Sequence, residues 1–249
     1  MSTRRDALLR EMGLAPLWRL RGRAQAPPPA ETRPAAAAQD SELPMPAGDE
    51  RALRIAAMDW RELAQAVAGC RACALCEKRR QAVLGVGDVH AQWLFVGEGP
   101  GADEDEKGEP FVGQAGRLLD NMLAAIGLKR GRNVYIANVV KCRPPGNRTP
   151  EPREAAACFP FLARQIALIG PRLIVALGRP AAQTLLGAEV KIATARGRLL
   201  DHGGIPLVVT YHPAYLLRNL PDKAKAWEDL CFARSTMRRL GGTSPGPLV

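Results

Sequence analysis

The sequence has no apolar run long enough to cross a membrane. Arg4-Arg5 is not followed by an apolar signal core. The expectation is therefore a cytoplasmic, monomeric protein without a membrane partner, whose cysteines stay reduced. Histidine is scarce, with only His90, His202 and His212 present. The first two carry no local signal, whereas His212 stands directly before Pro213 at the end of an apolar run. An acidic excess is absent too. The formal net charge is +10, and residues 1–50 balance, so the whole excess falls on residues 51–249. A basic folded region points to a polyanion partner, with nucleic acid first.

Residues 24–47 are rich in Pro and Ala and offer no basis for a packed core. The expected domains are a flexible extension over 1–48, a catalytic domain over 49–240 and a flexible tail over 241–249. Leu8, Leu9, Met12 and Leu17 suggest a short helix within residues 1–20. An unidentified protein partner for that helix is the sharper reading and a frayed end the blander, favoured one. A helix is predicted from about Asp49 to Val67. Four short apolar runs read as strands: Trp93–Val96, Asn133–Val140, Arg172–Leu177 and Pro206–Thr210. Helical patterns alternate with them, over 118–126, 151–169, 181–186 and 223–237. Residues 189–204 read as an irregular hairpin with a basic strip of Lys191, Arg196 and Arg198. Alternating strands and helices, with strands apolar throughout, predict an α/β/α three-layer domain around a mostly parallel four-stranded sheet.

The chain is organised around residues 93–117. A buried strand runs into Gly97-Glu98-Gly99-Pro100-Gly101. Three glycines in five residues let backbone approach a ligand closely. Such a strand end is where α/β proteins place ligands. No Lys-Ser or Lys-Thr follows the glycines, which argues against a nucleoside-triphosphate loop. Asp103, Glu104, Asp105, Glu106 and Glu109 follow, expected to form a solvated loop. Phe111, in Pro110-Phe111-Val112-Gly113, favours a pocket over a plain turn.

Six cysteines stand at 70, 73, 76, 142, 158 and 231. Cys70 and Cys73 make a local chelating pair, and Cys142 with Cys158 would complete four thiolates. Such a set suits either zinc or an iron–sulfur cluster, and spacing does not choose between them. The bland alternative is scattered buried thiols, the expectation for Cys231.

Taken in order, several motifs resemble the iron–sulfur uracil-DNA glycosylases, often called family 4. They are Gly97 to Gly101, Pro110 to Gly116, Asn138 to Pro145, Asn147 to Pro150 and His212-Pro213, with the cysteines interleaved. The likeness covers about residues 70–238. It implies an α/β/α fold, a [4Fe–4S] cluster on Cys70, Cys73, Cys142 and Cys158, and removal of uracil from DNA to leave an abasic site.

The resemblance also assigns roles. Phe111 is the stacking aromatic, and Asn138 reads the base edge by donating to O4 and accepting from N3–H. Gly97, Glu98 and Gly99 line the uracil, with His212 a donor near O2. Glu98 and His212 are the catalytic candidates. Gly99 has no side chain and cannot be a base. Lys141, Arg143, Arg148 and Arg218 are expected at phosphates. Tyr215 or Leu216 is expected to fill the gap left by an extruded base. Two other readings stand beside this one: a glycosylase of the same superfamily with a different lesion preference, and a non-enzymatic iron–sulfur nucleic-acid-binding module. A covalent uracil-trapping relative is disfavoured because the loop Arg143 to Pro150 has no histidine.

Overall fold

A computed structural model of the chain describes residues 47–241. The expected helix in 1–20, the linker and most of the tail lie outside the described residues. The described part falls in one unit, Met45–Val249.

Two short helices open it, α1 (Ala47–Ala57) and α2 (Trp60–Ala68). A single helix was expected here. Asp59 divides it because its carboxylate accepts from the Glu62 N–H while Glu62 returns the bond to the Asp59 N–H. That reciprocal cap starts a new helix.

The sheet has six strands rather than four: β1 (Val86–Gly87), β2 (Trp93–Gly97), β3 (Val134–Asn138), β4 (Leu173–Leu177), β5 (Leu200–His202) and β6 (Ile205–Thr210). Their order is β1-β3-β2-β4-β6-β5. The four expected strands are the parallel centre, and β1 and β5 add antiparallel edges. The sheet is therefore mixed. Both additions were missed because they are two and three residues long and only half-buried, too short for a hydrophobic period.

Alternation along the central strands separates two cores. Leu94, Val96, Ala137, Ile174, Ala176 and Val209 face one way, towards α2, α5 (Pro152–Ile169) and α6 (Arg179–Leu186). Trp93, Phe95, Ile136, Leu173, Val175 and Val208 face the other. There they meet α4 (Gln114–Ala125) and α9 (Asp222–Arg239). Three layers result, as the alternation predicts.

The acidic segment is not a solvated loop but a helix, α3 (Ala102–Lys107), with Asp105 buried and accepting from the Arg80 and Gln81 N–H groups. Residues 189–204 hold a one-turn helix, α7 (Ile192–Ala195), and then β5. Arg196 turns inward to Glu228 and Asp229, so the expected basic strip is broken. A last short helix, α8 (Pro213–Arg218), follows β6.

Candidate active site

In the central sheet, β2 continues to β3 on one side and β4 lies on the other. The chain thus reverses direction across the sheet between β2 and β4, and a crevice opens beyond their carboxyl ends. A cavity of about 670 Å3 lies there. The loops after all four parallel strands contribute to it, through Glu98 and Gly99, Asn138, Arg179 and His212.

Asn138 is the last residue of β3, in register with Gly97 on β2. Its side chain is buried, and its Oδ1 has no hydrogen-bond partner. An unpaired buried acceptor costs about 1–3 kcal/mol unless a ligand meets it. Gly97 makes the arrangement sterically feasible. A Cβ there would lie 2.5 Å from both Asn138 Oδ1 and Phe111 Cζ.

Phe111 sits at φ 57°, an uncommon conformation for a non-glycine residue. It is held from two sides. Glu104 Oε1 accepts from the N–H groups of Val112 (2.9 Å) and Gly113 (3.2 Å), while its Oε2 accepts from the Gly101 N–H (3.0 Å). One carboxylate thus ties the glycine loop to the phenylalanine loop. On the other side, Arg130 donates to the carbonyls of Pro110 and Phe111, both at 2.8 Å. Holding a strained residue requires this kind of surrounding restraint.

His212 caps α8. Its Nδ1 accepts from the Ala214 N–H at 3.1 Å. That bond places the ring proton on Nε2 and makes Nε2 a donor. Burial, assisted by the nearby positive charge of Arg218, lowers the imidazole to about 4, so it is neutral at pH 7. The ring centre is 5.5 Å from that of Phe111. Gly178, at φ 92°, lets β4 pass beneath: a Cβ there would come 2.9 Å from His212 Cβ. Glu98 is raised above the ordinary carboxylate range by burial, partly opposed by a hydrogen bond with Thr149 and by the charge of Arg179.

The structure therefore brings Glu98, Gly99, Phe111, Asn138 and His212 around one cavity, with Arg148, Tyr215 and Arg218 also in its walls. Four expected residues are not in its walls. Gly97 lies against Asn138 and Phe111 without joining the lining. Lys141 is buried, with Nζ donating to the Asn138 carbonyl (2.7 Å) and to Gln165 Oε1 (2.5 Å). It cannot be a phosphate contact in this position, because its charge is committed inside the core. Leu216 is 1% exposed and packs in the α4–α9 core, so it does not project as a wedge. Arg143 is outside the cavity walls, and its Nε donates to Asn147 Oδ1 at 2.7 Å.

The cluster expectation is corrected. Cys70, Cys73, Cys76, Cys142 and Cys158 do approach one another around a space of about 10 Å3, room for little more than a water. Their sulfurs meet the protein itself. Arg79 donates to Cys142 Sγ at 2.9 Å, and the Lys141 N–H to Cys158 Sγ at 3.3 Å. Burial raises the Cys73 and Cys142 thiols and pushes Cys158 up to about 11. Among the described residues no group of three or more His, Cys, Asp or Glu is disposed to hold a metal ion. The [4Fe–4S] cluster expected on Cys70, Cys73, Cys142 and Cys158 does not fit this arrangement. Local spacing had located the meeting point of the thiols but could not give their geometry there.

Sequence reasoning missed Glu104, Arg130, Thr149, Arg179 and Tyr211 as parts of the site. Glu104 was findable in part, since a Glu at the third position of a helix can accept from the N–H of the residue that begins it, as Glu104 does from Gly101. Arg130 reaches back 19 and 20 residues to its acceptors, and no local pattern announces that.

A flat aromatic face, an unpaired amide oxygen and a neutral imidazole donor meet above a doubly wound sheet. They define an α/β protein with an aromatic and polar crevice at the switch point of its sheet. The family model for the Uracil DNA glycosylase superfamily matches residues 84–231. A type-4 uracil-DNA glycosylase of Thermotoga maritima is 45% identical over 183 residues, which are 72% of this chain and 95% of that protein. Those of Pyrobaculum aerophilum and Archaeoglobus fulgidus are 42% and 46% identical, over 70% and 63% of this chain and 93% and 82% of their own lengths. The chain belongs to the uracil DNA glycosylase superfamily, in its type-4 branch. No described helix is long and apolar enough to cross a membrane.

Proposed function

We infer that this chain hydrolyses the bond between uracil and deoxyribose in DNA, leaving an abasic site, as the names of its relatives suggest. The observation that carries the reading to the residues is the buried, unpartnered Oδ1 of Asn138, a residue of the cavity wall. Uracil presents an N3–H donor beside the O4 acceptor. Asn138 complements both, accepting at Oδ1 and donating from Nδ2. Cytosine reverses the two groups, and the mismatch would leave buried atoms unpaired. Phe111 supplies a stacking face, which adds affinity with little base preference.

The base must leave the duplex stack to enter this cavity. As the glycosidic bond breaks, negative charge gathers on uracil and positive charge on the sugar. His212 Nε2–H, the ring's free donor, is proposed to meet O2. A neutral donor on a fixed helix cap needs no reorganisation at the moment of bond cleavage, and each such donor is worth about 3–4 kcal/mol. The Gly101 N–H is committed to Glu104. That leaves the amides of Glu98 and Gly99 as the loop's candidates for the same charge. Glu98, ionised, would stabilise the cationic sugar or orient water. Arg218, at the cavity wall, and Arg143, beyond it, are the proposed phosphate contacts, whereas Arg148, also in the wall, is already held by Glu154 at 2.7 and 2.8 Å.

Incubation with an oligonucleotide carrying one uracil, followed by alkali, tests the reading. The expected result is a single nick at uracil and none at cytosine, with hypoxanthine and other lesions on the same panel released far more slowly. Intact strands under all conditions, or equal release of cytosine, would overturn it.

A further inference from the structure

The cavity is larger than the ligand assigned to it. At about 670 Å3 it has the size that holds a drug-sized molecule, well beyond one pyrimidine. Phe111, Asn138 and His212 occupy one part of its wall, and Tyr211 and Tyr215 line another. The two tyrosine rings stack on each other, with centres 5.2 Å apart and planes 11° from parallel. They bracket His212 in sequence, Tyr211 ending the strand side and Tyr215 standing on α8.

This pair is held rigidly. The Tyr215 hydroxyl donates to Asp222 Oδ2 at 2.6 Å, and Lys225 holds the other oxygen of Asp222 at 2.8 Å. The Tyr215 carbonyl accepts from Asn219 Nδ2 at 3.1 Å. Both rings lean on the α4–α9 core yet are only half-buried. A rigid, half-exposed aromatic pair presents a stacking surface at low entropic cost. A structural role alone would be served by burying it. The pair is also too confined to act as a penetrating wedge, because Tyr215 is tied at its hydroxyl and stacked on its neighbour.

We propose that Tyr211 and Tyr215 form a platform for the nucleotide adjacent to the extruded uracil, so that the cavity binds a dinucleotide step rather than a lone base. This rests on the uracil reading above and adds a second subsite to it. Arg218, three residues beyond Tyr215 and also in the cavity wall, is placed to meet the phosphate between the two nucleotides.

The test uses four duplexes and the full-length chain. Each duplex carries one uracil, flanked by normal bases, by a tetrahydrofuran abasic analogue on the 5′ side, on the 3′ side, or on both. The wild type should lose about tenfold in kcat/KM, mostly through KM, when the stacking neighbour on one particular side is removed. Tyr211→Leu and Tyr215→Leu should show the same loss on the normal duplex and no further loss when that neighbour is removed. Tyr215→Phe keeps the ring and loses only the bond to Asp222, so it should retain sensitivity to the neighbour. The proposal is overturned if the wild type ignores both neighbours. It is equally overturned if the leucine variants lose activity by the same factor on every duplex, the pattern of a purely structural pair. Release of no uracil from any duplex by the wild type would instead sink the uracil reading itself.

Discussion

Two buried polar side chains sit three residues apart at the end of β3, and they are opposites. Asn138 turns to the cavity with its Oδ1 unpaired. Lys141 turns to the α5 side with Nζ engaged by the Asn138 carbonyl and Gln165. Gln165 is itself satisfied, donating to the Leu84 carbonyl at 2.9 Å and to the Tyr135 hydroxyl at 3.3 Å. One side of the strand's end is an incomplete hydrogen-bond set and the other a closed one. Residue type gave no warning of this, since both looked suited to contact DNA. What separates a binding group from a structural one here is whether its partners are already inside the protein.

The sharpest way to break the contrast is Asn138→Ala. Uracil release should fall about a thousandfold, because both hydrogen bonds to the base edge are lost. Stability should change by no more than about 1 kcal/mol, because Oδ1 has no internal partner to lose. Single-turnover rates and thermal melts measure the two quantities separately. A large drop in melting temperature with modest loss of rate would place Asn138 on the structural side. His212→Ala should cost about a hundredfold to a thousandfold in kcat, the usual effect of removing one preorganised donor. An unchanged rate would leave the leaving group stabilised by backbone amides alone.

Lys141→Met inverts the pattern. It leaves the Asn138 carbonyl and Gln165 Oε1 unpaired in the core, so stability should fall by about 2 kcal/mol. The salt dependence of DNA binding should stay as in the wild type. If Lys141 touched a phosphate, the slope of log K against log salt would decrease by about one unit. Glu104→Gln weakens the brace that holds Phe111 at positive φ. The amide oxygen can still accept on one arm, without charge, but the NH2 on the other would face an N–H donor, and activity should fall about tenfold with KM rising. Restoration by Glu104→Asp is not expected, since the shorter arm cannot span both loops. A rate equal to that of the wild type would show that Arg130 holds Phe111 unaided.

The parallel centre of the sheet was legible because Trp93–Gly97, Val134–Asn138 and Leu173–Leu177 are buried at every position and short. The edge strands were not, for their pairing depends on β3 and β6 being already formed. That Phe111, Asn138 and His212 come to one cavity was legible from motif order. Their supports were not, because Arg130 and Thr149 act across the fold, and a strained φ leaves no mark in the residue type. Lys141 and Leu216 misled for the same reason. Each lies within a motif whose neighbours face the cavity, and only the path of the backbone shows which way a given side chain turns. The cysteines show the limit of spacing. It foresaw that Cys70, Cys73, Cys142 and Cys158 gather, while the contacts of Arg79 and of the Lys141 N–H were invisible to it.

The smallest expected effect is a flat line. His212 is lowered from about 6.5 to about 4 by burial and by Arg218, and its Nδ1 is occupied by the Ala214 N–H. The native state therefore resists protonating it, whereas an unfolded chain does so at the ordinary value. Stability should fall as pH drops from about 6.5 to about 4, where the unfolded state binds the extra proton, and should not respond to this group above that window. Catalysis follows the native value. If the neutral imidazole is the donor to O2, kcat should show no inflection near pH 6.5. An acid limb near 4 would belong to His212 itself, whereas one from Glu98, raised above the ordinary carboxylate range by burial, would persist in His212→Gln. Single-turnover rates across pH 5 to 8, with a nuclear magnetic resonance titration of the His212 ring, would decide. An inflection near 6.5 that disappears in His212→Gln would mean that the charged imidazolium does the work. The cavity would then owe its leaving-group stabilisation to a proton taken from solvent rather than to a donor fixed by the fold.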